Sequence, residues 1–250
     1  DWNLSAIAIP KVRFNKLPAF GSDFYPGLMP PPVDDYPGTG FGNTEYAAAL
    51  NGTFTGWDMS LYVASVFNDA PHGEMTGSGI RRRHARLSMA GASANVGMGS
   101  WLLKGEIAKF DGLAFLGAPG ETFPRVDTMA GFDFNGFSWG TVTLEAANRH
   151  ILDFDPAIAG DPEDARENEL EVAFRVGTSL MNDKLRLSGT VSALGPNGDN
   201  GGFRRIDGTY DLGGTSALKF GVIDYVSGDK AFFSSIGDKD RVYFRFERQF

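Results

Sequence analysis

Hydrophobic and polar residues alternate along most of this chain with a period of two, which is typical of a β-strand whose two faces meet different surroundings. The last ten residues, RVYFRFERQF, show the pattern most clearly. Clusters of Gly, Asn, Asp and Pro separate such segments, and no segment has the spacing of an amphipathic helix. The pattern predicts roughly twelve strands, at 2–9, 44–55, 57–68, 82–94, 101–110, 124–134, 139–150, 168–180, 184–194, 202–211, 217–226 and 241–250.

The connections between the predicted strands alternate strictly between long and short. Short turns are predicted near Gly56 and at 95–100, 135–138, 181–183 and 212–216, and long loops at 10–43, 69–81, 111–123, 151–167, 195–201 and 227–240. In an up-and-down meander this alternation gathers all short turns at one end, as in bacterial outer-membrane barrels with short periplasmic turns and long extracellular loops. We therefore expect an all-β fold, an antiparallel up-and-down transmembrane β-barrel of about 12 strands (12–14). It would occupy residues 1–250 as a single domain, or as the C-terminal part of a longer barrel.

Two rows of contrasting chemistry run across the predicted strands. The hydrophobic row contains Met59, Leu61, Val63, Leu87, Met89, Leu103, Ile107, Leu170, Val172, Phe174, Val176, Leu185, Leu187 and Val191. The polar row contains Arg82, His84, Arg86, Ser88, Lys104, Glu106, Asp127, Thr141, Thr143, Glu145, Arg149, Glu167, Glu169, Glu171, Arg175, Lys184, Arg186, Ser188, Thr190, Arg205, Asp207 and Thr209. A soluble sandwich would bury the hydrophobic row, whereas a barrel turns it toward lipid and the polar row toward the lumen. Strand lengths favour the barrel, since soluble strands usually run about 5–6 residues.

Tryptophans mark the predicted starts of strands. Trp2, Trp57, Trp101 and Trp139 each begin a strand directly after a short turn or near the start of the chain. This placement is typical of the aromatic girdle at a membrane–water interface, because indole is largely apolar with one hydrogen-bond donor. Trp139 has the parity of the polar row, which a place in the turn would explain.

Composition and charge exclude several classes of protein. Hydrophobic residues make up 42% of the chain, yet no window approaches the run of roughly 20 apolar residues that a membrane-spanning helix needs. Cysteine is absent, which excludes disulfides and thiolate metal sites. The net charge of −8 argues against nucleic acid as a partner. The sequence begins at Asp1, so we expect a mature form or an excerpt of a longer chain.

Catalysis and metal binding have little support in the sequence. The histidines His72, His84 and His150 have no recognisable spacing to a serine and an acid. We therefore predict no catalytic residue, no metal site and no cofactor, with a lipid hydrolase around Asn148 and His150 as an alternative. Carboxylates clustered in the loop at 152–168 are of the type that binds Ca²⁺, but their spacing does not match an EF-hand and favours a solvated turn.

Mixed charge on the polar row is the feature most closely tied to function. The candidate lumen or selectivity residues are Arg82, Arg86, Lys104, Glu106, Glu145, Glu171, Arg175, Arg186, Arg205, Asp207 and Arg245. Charge rings tune selectivity in wide pores, whereas in small barrels such charges pair and fill the interior. Both interpretations stay open for about twelve strands. The loop at 10–43, rich in Pro and aromatic residues, is expected to be structured, either across the barrel mouth or on its rim.

Several stretches resemble a known protein family. They are SAIAIPKVRFNKLPAFGSDFYP (5–26), NTEYAAALNGTFTGWDMSLYVASVFND (43–69), RRRHARLSMAGASANVGMGSWLLKGEIAKFDGL (81–113), EAANRHILDFD (145–155) and the C-terminal strand. They are similar to a group of proteobacterial outer-membrane proteins known as domain of unknown function 1302. The resemblance implies the outer membrane of a Gram-negative bacterium, often with RND-type exporter components encoded nearby. It also implies further sequence on the N-terminal side, and it carries no residue-level site.

The C-terminal strand also resembles the signal by which the barrel assembly machinery handles outer-membrane proteins. That signal is an amphipathic last strand that ends in an aromatic residue, usually Phe. Phe244, Phe246 and Phe250 match it, whereas Arg248 occupies a position that is usually hydrophobic. The resemblance implies that this machinery is a partner.

Together these features predict a porin-like passive channel for small solutes, or an exporter-associated outer-membrane component. The alternatives are a structural or assembly barrel with a plugged lumen, a membrane lipid hydrolase and a soluble β-sandwich. The expected partners are outer-membrane lipid and lipopolysaccharide, the barrel assembly machinery, a small solute and RND-type exporter components.

Overall fold

An antiparallel sheet of twelve strands dominates the computed structural model of this chain, which describes residues 1–25, 27, 29–160 and 164–249. The strands in these ranges are β1 (Trp2–Ile9), β2 (Val33–Asp35), β3 (Glu45–Phe54), β4 (Trp57–Phe67), β5 (His72–Thr76), β6 (Gly79–Arg83), β7 (Arg86–Met98), β8 (Trp101–Leu113), β9 (Phe123–Phe137), β10 (Gly140–Ile151), β11 (Asn168–Leu180), β12 (Leu185–Leu194), β13 (Gly201–Gly213), β14 (Ser216–Val226) and β15 (Arg241–Arg248). The long connections hold a short helix, α1 (Ala231–Ile236), and the 3-10 turns Phe41–Asn43 and Pro156–Ala159. None of the helices in the described ranges has the length and apolar character needed to cross a membrane.

The large sheet follows chain order, in the sequence β1-β3-β4-β7-β8-β9-β10-β11-β12-β13-β14-β15. Short turns follow β3, β7, β9, β11 and β13, and long connections follow the other sheet strands except the last. The predicted all-β, antiparallel arrangement is therefore confirmed, together with the alternation of long and short connections. Trp139 lies in the turn before β10, which accounts for its parity.

One predicted strand is wrong in its extent. The sequence predicts a single strand over 82–94, but β6 ends at Arg83 and β7 begins at Arg86. β6 leaves the large sheet and forms a three-stranded sheet, parallel to β2 and antiparallel to β5. Ion pairs explain the split, because Arg82 lies 2.6 Å from Asp34 and Arg83 lies 2.9 Å from Asp35.

The first long connection is ordered by aromatic contacts, in agreement with the structured loop expected at 10–43. Phe14 stacks on His84 with ring centroids 3.5 Å apart, and it meets Phe67 edge-on at 6.2 Å. Tyr36 stacks 5.7 Å from Phe14 and donates a hydrogen bond to Asp34 at 3.0 Å, which raises the pKa of Tyr36. The first and second long connections therefore fold together.

Internal contacts divide the chain into two compact units. The first comprises Asp1–Val96, Lys104–Met129 and Asn148–Glu169, and the second comprises Gly97–Leu103, Ala130–Ala147 and Leu170–Phe250. In the first unit a buried cluster of Phe123, Ile151, Ile158 and Ala165 lies at the long connections. In the second, Ile236 of α1 is fully buried. Both buried sites lie away from the middle of the sheet strands, so the hydrophobic row of the sheet is not the core of either unit.

The hydrophobic row of the second unit is continuous and exposed. The register aligns Ile206, Val222 and Val242 across β13, β14 and β15, and it sets Phe220 opposite Phe244. Val242 and Phe244 each leave 73% of their surface exposed, and Ile206 leaves 64%. Because successive strand residues point to opposite faces, these side chains share one surface. That surface is hydrophobic and uncovered.

The first unit repeats this arrangement with smaller side chains. Leu4, Leu50 and Leu61 are aligned across β1, β3 and β4, and Ala48 lies opposite Val63 in the next row. Leu4, Leu61 and Val63 are exposed. The hydrophobic surface is therefore present in both units.

Candidate functional site

The polar face of the second unit brings six of the candidate lumen residues together. The register of β11 to β15 places Glu171, Arg175, Arg186, Arg205, Asp207 and Arg245 on the face opposite the exposed hydrophobic row. Thr190 of β12 lies directly between Arg175 and Arg205 on the neighbouring strands. Arg186 lies between Ser179 and Thr209. Hydroxyl and guanidinium groups therefore alternate across this face.

A concave region of about 690 Å³ lies at the end of this face nearest the short turns. Its lining includes Arg175, Gly177, Ser179, Asp183, Arg186, Ser188, Asp207 and Thr209, together with residues 137–141 at and beside the turn between β9 and β10. A Cβ atom on Gly140 would lie 2.0 Å from the carbonyl oxygen of Gly177, so the close approach at this point requires glycine. The region has the volume of a small-molecule site and a predominantly polar lining.

Ion pairs occupy the part of the polar face nearest the end of the chain. Arg205 Nε lies 2.6 Å from Asp207, and Tyr243 donates a hydrogen bond to the same carboxylate. Lys219 Nζ lies 2.8 Å from Glu247, which Arg245 approaches at 3.5 Å. These charges largely neutralise one another.

Hydroxyl groups satisfy other carboxylates of the second unit. Ser192 donates to Glu171 at 2.7 Å, and Thr143 donates to Asp133 at 2.6 Å. Glu145 shares the face of Thr143, because the two alternate with Leu144 along β10. Acidic side chains on this face are thus held by neighbouring donors.

The polar face of the first unit is built from uncharged groups more than from ion pairs. Asn95 donates to Asp58 at 2.8 Å, Ser60 donates to Asn51 at 2.7 Å, and the hydroxyl groups of Tyr62 and Ser93 lie 3.1 Å apart. Lys104 and Glu106 belong to this unit and alternate with Leu103 and Ile107, so they lie on the face opposite those two exposed side chains.

Two candidate lumen residues do not lie on the predicted polar row. Arg82 is in β6, outside the large sheet, where it pairs with Asp34. Arg86 lies opposite Phe67, on the same face as Val63, and its guanidinium group stacks over the Phe67 ring at 4.9 Å. Leu87 and Met89 correspondingly lie on the opposite face from Val63. The faces of β7 are thus the reverse of the prediction, because pairing with β4 aligns Arg86 with Phe67 and Leu87 with Val66.

Aromatic clusters surround the four tryptophans, all of which are exposed. In the first unit Phe54 lies between Trp2 and Trp57, with ring centroids 5.5 Å and 4.1 Å away. In the second unit the corresponding contacts are Trp101 with Phe132 and Phe134, and Trp139 with Phe137 at 4.9 Å. Sequence reasoning missed these phenylalanines, although their positions beside short turns give the same signal as the tryptophans.

The C-terminal strand has the predicted two faces as far as it is described. Val242, Phe244 and Phe246 are exposed on the hydrophobic row, and Tyr243 and Arg245 lie on the polar face. Phe250, the last residue of the predicted assembly signal, lies outside the described residues.

The histidines and the acidic loop form no metal cluster in the described part of the chain, where no group of three or more His, Asp or Glu side chains is placed to hold an ion. His150 lies 3.1 Å from the Asn168 side chain, and His84 Nδ1 lies 2.7 Å from the Asn68 carbonyl. Asp155 caps the 3-10 turn by accepting a hydrogen bond from the Ala157 backbone. Residues 161–163 of the acidic loop lie outside the described residues.

Comparisons of the chain with known protein families, curated proteins and solved structures found no match. The family resemblance of the quoted stretches therefore stays a prediction.

Proposed function

We propose that this chain is an outer-membrane β-barrel that lets small solutes pass through a polar lumen. One observation carries the proposal, which is the continuous exposed row of large hydrophobic side chains along the sheet, exemplified by Ile206, Val222 and Val242. A water-soluble protein gains about 1.5–3 kcal/mol for each such side chain that it buries. A fold that leaves the whole row exposed is stable where a lipid phase covers it.

The aromatic clusters around the tryptophans also support a membrane location. Trp57 and Trp101 follow short turns, and they are exposed amphipathic side chains of the kind that lie at the level of lipid headgroups. In the proposal, the short turns are periplasmic and the ordered first long connection narrows the outer mouth. Two partners remain predictions. The barrel assembly machinery is predicted from the amphipathic strand β15, and RND-type exporter components are predicted from the family resemblance of the sequence.

A charged substitution on the hydrophobic row tests the membrane environment. Val222→Arg places a guanidinium group in the middle of the exposed row, and we expect a loss of about 2–4 kcal/mol in the free energy of unfolding from lipid vesicles. In water the same exposed substitution would change stability by only about 0.5 kcal/mol. Unfolding by denaturant in vesicles, followed by tryptophan fluorescence, measures the difference.

Ser188→Arg is the matched control, because it adds the same charge near the middle of β12 on the polar face, opposite Gly177 and Asp207. It should cost much less than Val222→Arg. Equal stabilities for the two variants, or a wild-type protein that stays in solution without detergent, would refute the membrane assignment.

A structural barrel with a plugged lumen is the second candidate. The pairing of Arg205 with Asp207 and of Lys219 with Glu247 favours it, because paired charges can fill an interior without leaving a path. Single-channel conductance in planar bilayers separates the two candidates, since a plugged barrel conducts no ions.

A further inference from the structure

Two arginines of the polar face stand apart from the ion pairs around them. Arg175 and Arg186 both line the concave region of the second unit, and neither guanidinium group has a hydrogen bond or ion pair with another described residue. Their strands are adjacent, since Arg186 lies opposite Ser179 and Arg175 lies opposite Thr190. This register sets their Cα atoms about 14 Å apart. Two extended guanidinium arms can span that distance to one small molecule.

The asymmetry between acids and bases indicates the charge of the missing partner. On this face Glu171 receives a hydrogen bond from Ser192, and Asp207 is paired with Arg205. Asp183, in the turn before β12, also lines the region, and no ion pair joins it to Arg186 among the described residues. With Arg205 counted, three guanidinium groups stand against the two carboxylates of Asp183 and Asp207. A guanidinium fork without a carboxylate is suited to bind an oxyanion in a bidentate manner.

Hydroxyl groups extend this donor set. Ser179, Ser188 and Thr209 line the same cavity, and their hydroxyls have no hydrogen-bond partner among the described residues. Gly177 lies between Arg175 and Ser179 along β11, and a Cβ atom there would meet open space. The concave region is thus open at Gly177, and hydroxyl groups line it.

We propose that the cavity selects small oxyanions, of the phosphate or carboxylate type, through Arg175 and Arg186. This inference rests on the proposed channel function and specifies its solute class. The paired arginines and lysines of the same face contribute less, because nearby carboxylates cancel their field.

Ion selectivity of the reconstituted protein tests the proposal. We expect wild-type channels in a KCl gradient to favour chloride over potassium, and inorganic phosphate or succinate to reduce the chloride current. Arg175→Gln and Arg186→Gln should each lower the anion-to-cation permeability ratio by about two- to threefold, because each removes one unscreened charge near the path. Phosphate and succinate, applied separately, distinguish the two types of oxyanion.

Arg204→Gln is the matched control. Arg204 neighbours Arg205 on β13 but lies on the hydrophobic face, where it approaches Asp224 at 3.4 Å. Its removal changes the net charge equally and should leave the permeability ratio at the wild-type value. Circular dichroism of all three variants checks that the sheet content is unchanged.

The outcomes separate this inference from the channel proposal. Conducting channels without anion preference, or Arg175 and Arg186 variants that match Arg204→Gln, would overturn the anion site while the channel stands. Absence of conductance in folded protein would overturn the channel. Calorimetric titration of detergent-solubilised protein with phosphate and with succinate then tests the oxyanion site. Binding that is lost in both arginine variants supports the site, and absence of binding to the wild-type protein refutes it.

Discussion

Residues on one strand face meet their neighbours at i and i+2, and this spacing explains much of the charge pairing in the protein. Arg205 pairs with Asp207, Arg125 with Asp127 and Lys109 with Asp111, each across two positions of one strand. Such pairs can be read from the sequence once the strand is recognised, because period-two alternation places both side chains on the same side. Whether the charges of the polar row pair was left open by the sequence, and the structure shows that these three pairs form. Arg175 and Arg186 are recognised as unpaired only when the ion pairs of the other charged residues are known.

Gly177 offers a residue-scale test of the cavity. Gly177→Leu adds a side chain where a Cβ atom would meet open space, so we expect normal folding. The leucine should enter the gap beside Arg175 and lower single-channel conductance by about twofold, because it narrows the polar path. Conductance in planar bilayers measures the effect.

Gly189→Leu is the control for that experiment. Gly189 also meets open space, and it lies opposite Val176 and Ile206 on the hydrophobic face. Its substitution should leave conductance unchanged. A similar loss of conductance in both variants would contradict the assignment of the polar face to the path.

The long strands of the large sheet and the short strands of the small sheet differ in how the sequence determines them. The long strands of the large sheet carry their own alternating pattern, so local sequence is enough to predict them. The short strands β2, β5 and β6 depend on ion pairs between distant segments, as when Arg83 bridges Asp35 and Glu74 at 2.9 Å and 2.8 Å. These hydrogen bonds raise the pKa of Arg83. β2 has only three residues, which is too short for an alternation of hydrophobic and polar positions to be recognised.

Phe14 tests how the first long connection is held. Phe14→Ala removes the stacking on His84 and the edge contact with Phe67, each worth about 0.5–1.5 kcal/mol. We expect trypsin to cleave at Lys11, Arg13 or Lys16 about tenfold faster, because cleavage follows the population of the opened loop. Mass spectrometry of the fragments identifies the cut sites.

Phe20→Ala is the comparison within the same loop, since Phe20 meets Tyr25 edge-on at 5.5 Å and is exposed. It should accelerate cleavage much less. Equal cleavage of both variants would mean that the stack around Phe14 does not order the loop.

At the scale of the whole molecule, the two strands at the ends of the sheet order are the most exposed. All eight residues of β1 are exposed, as are six of the eight in β15. An edge strand presents unpaired backbone groups, and a membrane offers them no water to bond. The barrel proposed above therefore predicts that the backbone groups of β1 and β15 are paired in a membrane.

Cross-linking tests this closure, because the chain contains no cysteine of its own. Ala6→Cys on the hydrophobic face of β1 should form a disulfide with a cysteine at Val242, Phe244 or Phe246 in protein assembled in membranes. Facing strands bring such pairs within disulfide range only where they are in register. Altered mobility of a denatured monomer reports the bond.

Cysteine at Tyr243, on the opposite face of β15, serves as the negative control and should not react with Ala6→Cys. Disulfides that form only between two chains, or in none of the combinations, would exclude closure through these two strands.

The sequence by itself determined the long strands of the sheet and their two faces, apart from β7, and the alternation of long and short connections, because each depends on a pattern within one segment. Only the tertiary structure decided that Arg86 lies on the hydrophobic side and that Arg82 leaves the large sheet, since the first depends on the pairing of β7 with β4 and the second on the pairing of β6 with β2. It also decided which charges remain unpaired in the cavity around Arg175 and Arg186. A shift of one residue in register reverses the face of every side chain, and long-range pairing sets that register.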